Sequence, residues 1–202
     1  MPIVYKTPSQ IEHIRRAAHL AVSILSQMRD AAVPGVTTAH LDALAASALA
    51  DAGAISTAKN WPTYQPDQGF PGHTCISVND QVVHGVPGPR VLRAGDSVTL
   101  DLALSLDGWC ASAATTIPVG PVTPELAHFV KVGALALTLA LSELRPGRNW
   151  SLVAARIQQF VQSYGYGVVR EFVGHGIGRS PMEAPQVPNF PTPRSDFHSA
   201  RA

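Results

Sequence analysis

The sequence predicts an α+β domain built from two similar halves, the second incomplete beside the first. Three observations carry this. A long helical pattern, a Pro-Gly stop, a Ser/Thr/Asn cap and a second amphipathic helix occur twice, with Pro34-Gly35 and Pro146-Gly147 lying 112 residues apart. Strand texture with Gly- and Pro-rich turns fills residues 55–120 between the two helix pairs. Hydrophobic residues make up 46% of 202 residues, enough for a real core and too many for a disordered chain. Residues 1–190 read as a single domain and 191–202 as an irregular or mobile tail, because Pro185, Pro188, Pro191, Pro193, Ser195 and Ser199 make 185–202 a poor core segment.

The elements follow in order. Ser9 reads as an N-cap with Glu12 completing a capping box, and Ile11, Ile14, Ala18, Ala21, Val22 and Leu25 recur at helical spacing up to about Ala31. Thr37 or Thr38 caps the next helix, whose face is Leu41, Leu44, Ala45, Ala48 and Leu49, and Gly53 closes it. Residues 75–78, 98–104 and 114–119 read as strands, and Asp107-Gly108 marks a hairpin. Thr123-Pro124-Glu125 opens a helix to about Leu144. Asn149 or Ser151 caps another that ends near Gly165, and residues 167–173 read as a strand.

Composition narrows the function classes. Fifteen Lys+Arg against fourteen Asp+Glu leave a net charge of +1, so nothing favours nucleic acid. Two cysteines, Cys75 and Cys110, exclude a disulfide scaffold. The N-terminus Met1-Pro2-Ile3-Val4-Tyr5-Lys6 lacks a basic-then-apolar signal, so a cytoplasmic chain with reduced thiols is expected. The most apolar run, residues 134–141, spans roughly 12 Å as a helix against a hydrocarbon layer of about 30 Å. It reads as a buried core helix, with no membrane partner.

Three polar residues stand where a site is expected. His84 follows an apolar strand in Val82-Val83-His84-Gly85-Val86-Pro87, Asp101 interrupts the apolar strand 98–104, and His175 sits between glycines in Gly174-His175-Gly176-Ile177-Gly178. Singly, each is also what an ordinary satisfied polar residue looks like.

Together with their neighbours they resemble a family. Cys75-Ile76-Ser77-Val78-Asn79-Asp80, Val83-His84-Gly85-Val86-Pro87, Leu92 to Asp101, Gly174 to Gly178 and Glu183-Ala184-Pro185-Gln186-Val187 resemble type I methionine aminopeptidases over residues 8–190. The resemblance implies a pita-bread (creatinase/aminopeptidase-like) pseudo-two-fold fold. It also implies removal of an initiator Met by two divalent ions held by two Asp, one His and two Glu. Asp101 and His175 match metal ligands, His84 matches a substrate-contacting histidine, and Phe70 matches an aromatic of the methionine pocket, although Phe70 reads equally as a core aromatic. Ser112 stands where the second metal aspartate is expected and Met182 where a second histidine is. The two glutamates are expected on strands beyond residue 202, and Glu183 falls in the turn before them. Two retained ligands make tight metal unexpected and leave only weak divalent binding. His84, Asp101 and His175 could form a single-ion site, and His73, Cys110 and His198 are further candidate ligands without positional support. The expectation is therefore a C-terminally shortened, methionine-aminopeptidase-like pseudoenzyme, a module that binds a peptide N-terminus or protein partner. The alternative is a metal-dependent aminopeptidase with a reduced or partner-completed site. A homodimer, or a complex that covers this region, is expected, since the strand ending at Val173 would be an uncovered sheet edge.

Overall fold

The computed structural model describes residues 2–63, 68–193 and 197. The chain divides into two compact units, one of Lys6–Ala127 with Gly178–Pro181, the other centred on His128–Ile177 and the residues from Met182 onward.

In the first unit, α1 spans Pro8–Ala31 and α2 spans Thr38–Asp51. The cap of α1 is Thr7, not Ser9. Gln10 N donates to Thr7 Oγ1 at 3.3 Å and Thr7 N donates to Gln10 Oε1 at 2.9 Å, so Gln10 closes the capping box in place of Glu12. Pro8 explains the earlier start: its fixed φ suits the first helical position, where its missing N–H costs nothing. The buried stripe of α1 is Ala17, Ala21, Ile24, Leu25 and Met28. Ile11 and Val22, expected on that stripe, are exposed. Thr37 caps α2 by accepting from His40 N at 3.2 Å, and Leu41, Ala45 and Leu49 are buried.

The sheet of this unit has four antiparallel strands: β1 (Ile55–Ser56), β2 (Cys75–Val78), β3 (Ser97–Leu106) and β4 (Trp109–Pro118). Asp107 (φ 52°) and Gly108 (φ 74°) form the expected tight turn of the β3–β4 hairpin, since both central residues take positive φ. β3 is central, pairing with β4 on one edge and with β1 and β2 on the other. Its alternation sorts the two faces. Val98, Leu100, Leu102 and Leu104 are fully buried in the main core with Ile24, Met28, Leu41, Ile76 and Val78. Thr99, Asp101, Ala103 and Ser105 take the opposite face.

α3 runs Pro124–Glu143 and belongs to the second unit from His128 on; α4 runs Trp150–Ser163, capped by Asn149, whose Oδ1 accepts from Ser151 N at 2.8 Å. Gly35 (φ 96°) and Gly147 (φ 77°) follow the two prolines in left-handed backbone, so both stops use the same glycine device. A small core gathers Ala136, Ala140, Trp150, Val153, Ala154 and Ile157.

Three expectations fail here. The apolar run at 134–141 is not a buried core segment: α3 buries only Val132, Ala136 and Ala140, while Phe129, Leu135, Leu137 and Leu141 are exposed. Small residues every fourth position let α3 approach a neighbour along one narrow stripe and leave the larger side chains outside it. Taken whole, α3 is the one helix among the described residues long and apolar enough to cross a membrane by length and composition. Second, residues 167–173 form no strand. The ladder begins at β5 (Gly174–Gly176), which pairs with β6 (Glu183–Val187), and strand propensity without a partner ladder does not make a strand. The uncovered edge expected at Val173 goes with it, and Glu183 lies in β6 rather than in a turn. Third, part of 185–202 does join a core. Val187 and Phe197 pack on the small cluster, Trp150 Nε1 donates to Pro188 O at 2.9 Å, and Trp150 N donates to Phe197 O at 2.8 Å.

Candidate functional site

The face of the sheet opposite the main core carries the candidate chemistry of the first unit. Asp101 lies opposite Cys75 on β2 and Ala114 on β4, so these three side chains share that face. Ser112 lies opposite Ala103, which puts it diagonal to Asp101 across the same strand pair. That is the relation two carboxylates of neighbouring strands would need to approach one ion. Asp101 is half-buried and Ser112 exposed. The free Cys75 thiol is pushed up to about 12, first by burial and then by the negative charges of Asp101 and Asp42. With no ion beside it, it is a neutral thiol at neutral pH.

His84 is exposed and takes left-handed backbone (φ 58°). Its turn is held against β2 by Ile76 N donating to Gly85 O at 2.8 Å and Gly85 N donating to Ser77 Oγ at 3.0 Å. A Cβ on Gly85 would stand 2.2 Å from Ile76 O, so the glycine is what permits this approach. Phe70 is 8% exposed, its ring largely enclosed. In the second unit, His175 pairs with Gln186 in the β5–β6 ribbon, with Nδ1 2.9 Å from Gly176 O. A Cβ on Gly176 would stand 2.4 Å from Ala184 O, which accounts for the glycine after the histidine. Met182 is half-exposed.

The further candidate ligands are engaged elsewhere or undescribed. His73 lies against Asp42, with Nδ1 3.4 Å from Oδ2. Cys110 is buried, with Sγ directed to Arg179 O at 3.6 Å. His198 lies outside the described residues. Among the described residues no three His, Cys, Asp or Glu side chains gather to hold a metal ion. The donor set on the sheet face is one carboxylate, one neutral hydroxyl and one neutral thiol, which does not fit a two-ion centre.

Sequence reasoning missed two arrangements. Trp109 stacks with His13 (ring centroids 5.8 Å apart, planes 6° from parallel), and the Arg179 guanidinium lies 4.2 Å from the Trp109 ring. Asp42 of α2 binds the segment leading into β2: Oδ1 accepts from His73 N, Thr74 N and Thr74 Oγ1, each at 2.8 Å. Trp109 carried no sequence signal beyond its place after a hairpin turn. Asp42 carried no sequence signal beyond being an acidic residue next to the apolar face of α2.

Residues 12–199 match metallopeptidase family M24. The chain belongs to that family. It is 37% identical to a methionine aminopeptidase of Clostridium acetobutylicum over 95% of this chain and 74% of the relative. It is 34% identical to methionine aminopeptidase 1 of Bacillus subtilis, over 95% of this chain and 75% of the relative. Among solved structures, a methionine aminopeptidase of Thermotoga maritima matches with a TM-score of 0.91 and 33% identity, covering 98% of this chain and 78% of that one. An X-Pro aminopeptidase of the same organism matches at 0.73 with 22% identity, a likeness of fold alone. The resemblance to methionine aminopeptidases and the pita-bread fold therefore hold. The chain spans about three quarters of the length of these relatives. Their kinship favours the aminopeptidase reading over the pseudoenzyme one.

Proposed function

We propose that the chain is a metal-dependent aminopeptidase that removes N-terminal Met from peptides, working with a reduced site or one completed by a partner chain. The observation that carries it is the 37% identity to a methionine aminopeptidase across 95% of the chain. The retained Asp101, His84 and His175 support it. In this reading the exposed His84 turn meets the peptide and Phe70 lines the pocket for the Met side chain, and by the resemblance Asp101 and His175 are each a metal-ligand position. A divalent ion would supply the activated water. Ligands beyond the described donor set are then required.

Ser112 favours a second reading. A neutral hydroxyl diagonal to Asp101 removes a charge that two cations need, and supports a module that seats a peptide N-terminus without efficient hydrolysis. One experiment separates the two. Met release from Met-Ala-Ser is measured with added manganese or cobalt, for the wild type and Asp101→Ala. Release that vanishes in the variant supports the aminopeptidase. Calorimetric binding without release, with less than one tight ion per chain after dialysis, supports the module. The cytoplasm is the proposed compartment, supported by the kinship to bacterial methionine aminopeptidases. Self-association to a homodimer is supported by the exposed Phe129, Leu137 and Leu141 of α3, and light scattering over a dilution series tests it.

A further inference from the structure

The strip Phe70–Cys75 is held by more bonds than a surface connection needs. At one end Phe70 N donates to Trp61 O at 2.8 Å and Asn60 N donates to Phe70 O at 2.9 Å. Lys59 Nζ donates to Pro71 O, and Ser56 Oγ donates to His73 O at 2.7 Å. At the other end stands Asp42, a helix residue 31 positions away in the chain from His73. Its Oδ1 takes three hydrogen bonds from His73 and Thr74, and its Oδ2 faces the His73 ring. The Asp42 side chain is only 14% exposed. A carboxylate so enclosed is costly unless its bonds compensate, and all those recorded go to two residues. Thr74 is fully buried and cannot yield outward. The strip so fixed carries Phe70 at its start and ends on Cys75, which faces Asp101 across β2 and β3.

We propose that Asp42 is a positioning residue that fixes the Phe70–Cys75 strip as one wall of the pocket for the first side chain of the peptide, and so sets selectivity for methionine. This rests on the proposed function above. Asp42 touches no substrate. It acts through the backbone of His73 and Thr74, setting where Phe70 and Cys75 stand relative to Asp101. Asparagine at position 42 would keep an oxygen for the three Oδ1 bonds, whereas alanine would leave two amides and a buried hydroxyl without that acceptor.

Binding of Met-Ala-Ser and Gly-Ala-Ser is measured by calorimetry in metal-free buffer, so that seating is read apart from turnover. The same proteins are followed by amide exchange at residues 73–75. The wild type is expected to prefer the Met peptide by about tenfold or more, the scale at which apolar pockets discriminate. Asp42→Ala is expected to bring that preference close to unity and to speed exchange at 73–75, while Asp42→Asn restores most of both. A wild type without preference overturns the proposed function, and this inference with it. A wild type that discriminates and an Asp42→Ala protein that discriminates equally overturn the Asp42 role alone. Faster exchange in Asp42→Ala with selectivity unchanged also overturns it.

Discussion

The two helix pairs follow one plan and end in different surroundings. α1 and α2 meet at Pro34-Gly35, α3 and α4 at Pro146-Gly147, and each pair has a side-chain cap on its second helix. Yet α1 packs on β3 and β4 and buries Ala17, Ala21, Ile24, Leu25 and Met28, whereas α3 buries three residues and leaves its large apolar ones exposed. The first pair rests on a four-stranded sheet with one face of Val98, Leu100, Leu102 and Leu104. In the second unit the described strands are a two-stranded ribbon of three and five residues. A helix becomes a core helix because a wide apolar surface faces it, not because it is apolar itself.

The largest effect that would sharpen this contrast is in the first core. Leu100→Ala is expected to cost about 3–4 kcal/mol in denaturant unfolding, because Leu100 of β3 is fully buried in the main core, on the strand that α1 packs against. A cost below about 1 kcal/mol would mean that the sheet face is not the main core. Next comes Gly85→Ala, expected to cost about 2 kcal/mol, since the added methyl must displace the β2 backbone at Ile76. Unchanged stability would show that the His84 turn does not lie against β2 as described.

A smaller effect of about 1–2 kcal/mol is expected from Asp96→Ala, with a definite pH signature. Burial alone would raise the Asp96 carboxyl. Hydrogen bonds from Asn79 and from Arg93 N, with the charges of Arg90 and Arg93, outweigh it and hold the carboxyl below its usual range. The contribution is then present above the ordinary carboxylate value of about 3.9 and is lost as pH falls through the lowered one. The gap in melting temperature between wild type and variant should therefore begin to narrow as pH falls below about 4 and go on narrowing as it falls through the lowered value, and a gap that does not narrow at all would refute the carboxylate's role. The smallest effect is expected in the second region. Leu141→Ser should change stability by no more than about 0.5 kcal/mol while lowering any self-association seen by light scattering. A loss of several kcal/mol would mean that α3 is a core helix after all, and the contrast would collapse.

Much of this was legible in advance, for reasons that can be named. Asp107-Gly108 fixed the hairpin because both positions need positive φ, and the hairpin then set which β4 residue faces Asp101. The exposed state of α3 was not legible, since the pattern of residues 134–141 is the same for a buried helix and for one with a single narrow contact. The strand expected at 167–173 failed because propensity says nothing about whether a partner lies alongside. The site divided in the same way. Asp101, His84 and His175 stood out as polar residues in apolar or glycine settings, whereas Asp42 looked like an ordinary helix residue until its bonds to His73 and Thr74 were seen.

By itself, the sequence determined the Pro-Gly stops and the hairpin, narrowed the caps of α2 and α4 to two residues each, and singled out the polar residues of the candidate site, because each depends on one residue's conformational or hydrogen-bonding chemistry over a few neighbours; the cap of α1 it placed two residues late. Only the tertiary structure decided which apolar faces are covered, which thiol lies beside a carboxylate and which acid holds the Phe70–Cys75 strip. Those depend on chain segments tens of residues apart meeting in space, and residue type and local spacing do not encode which segments meet.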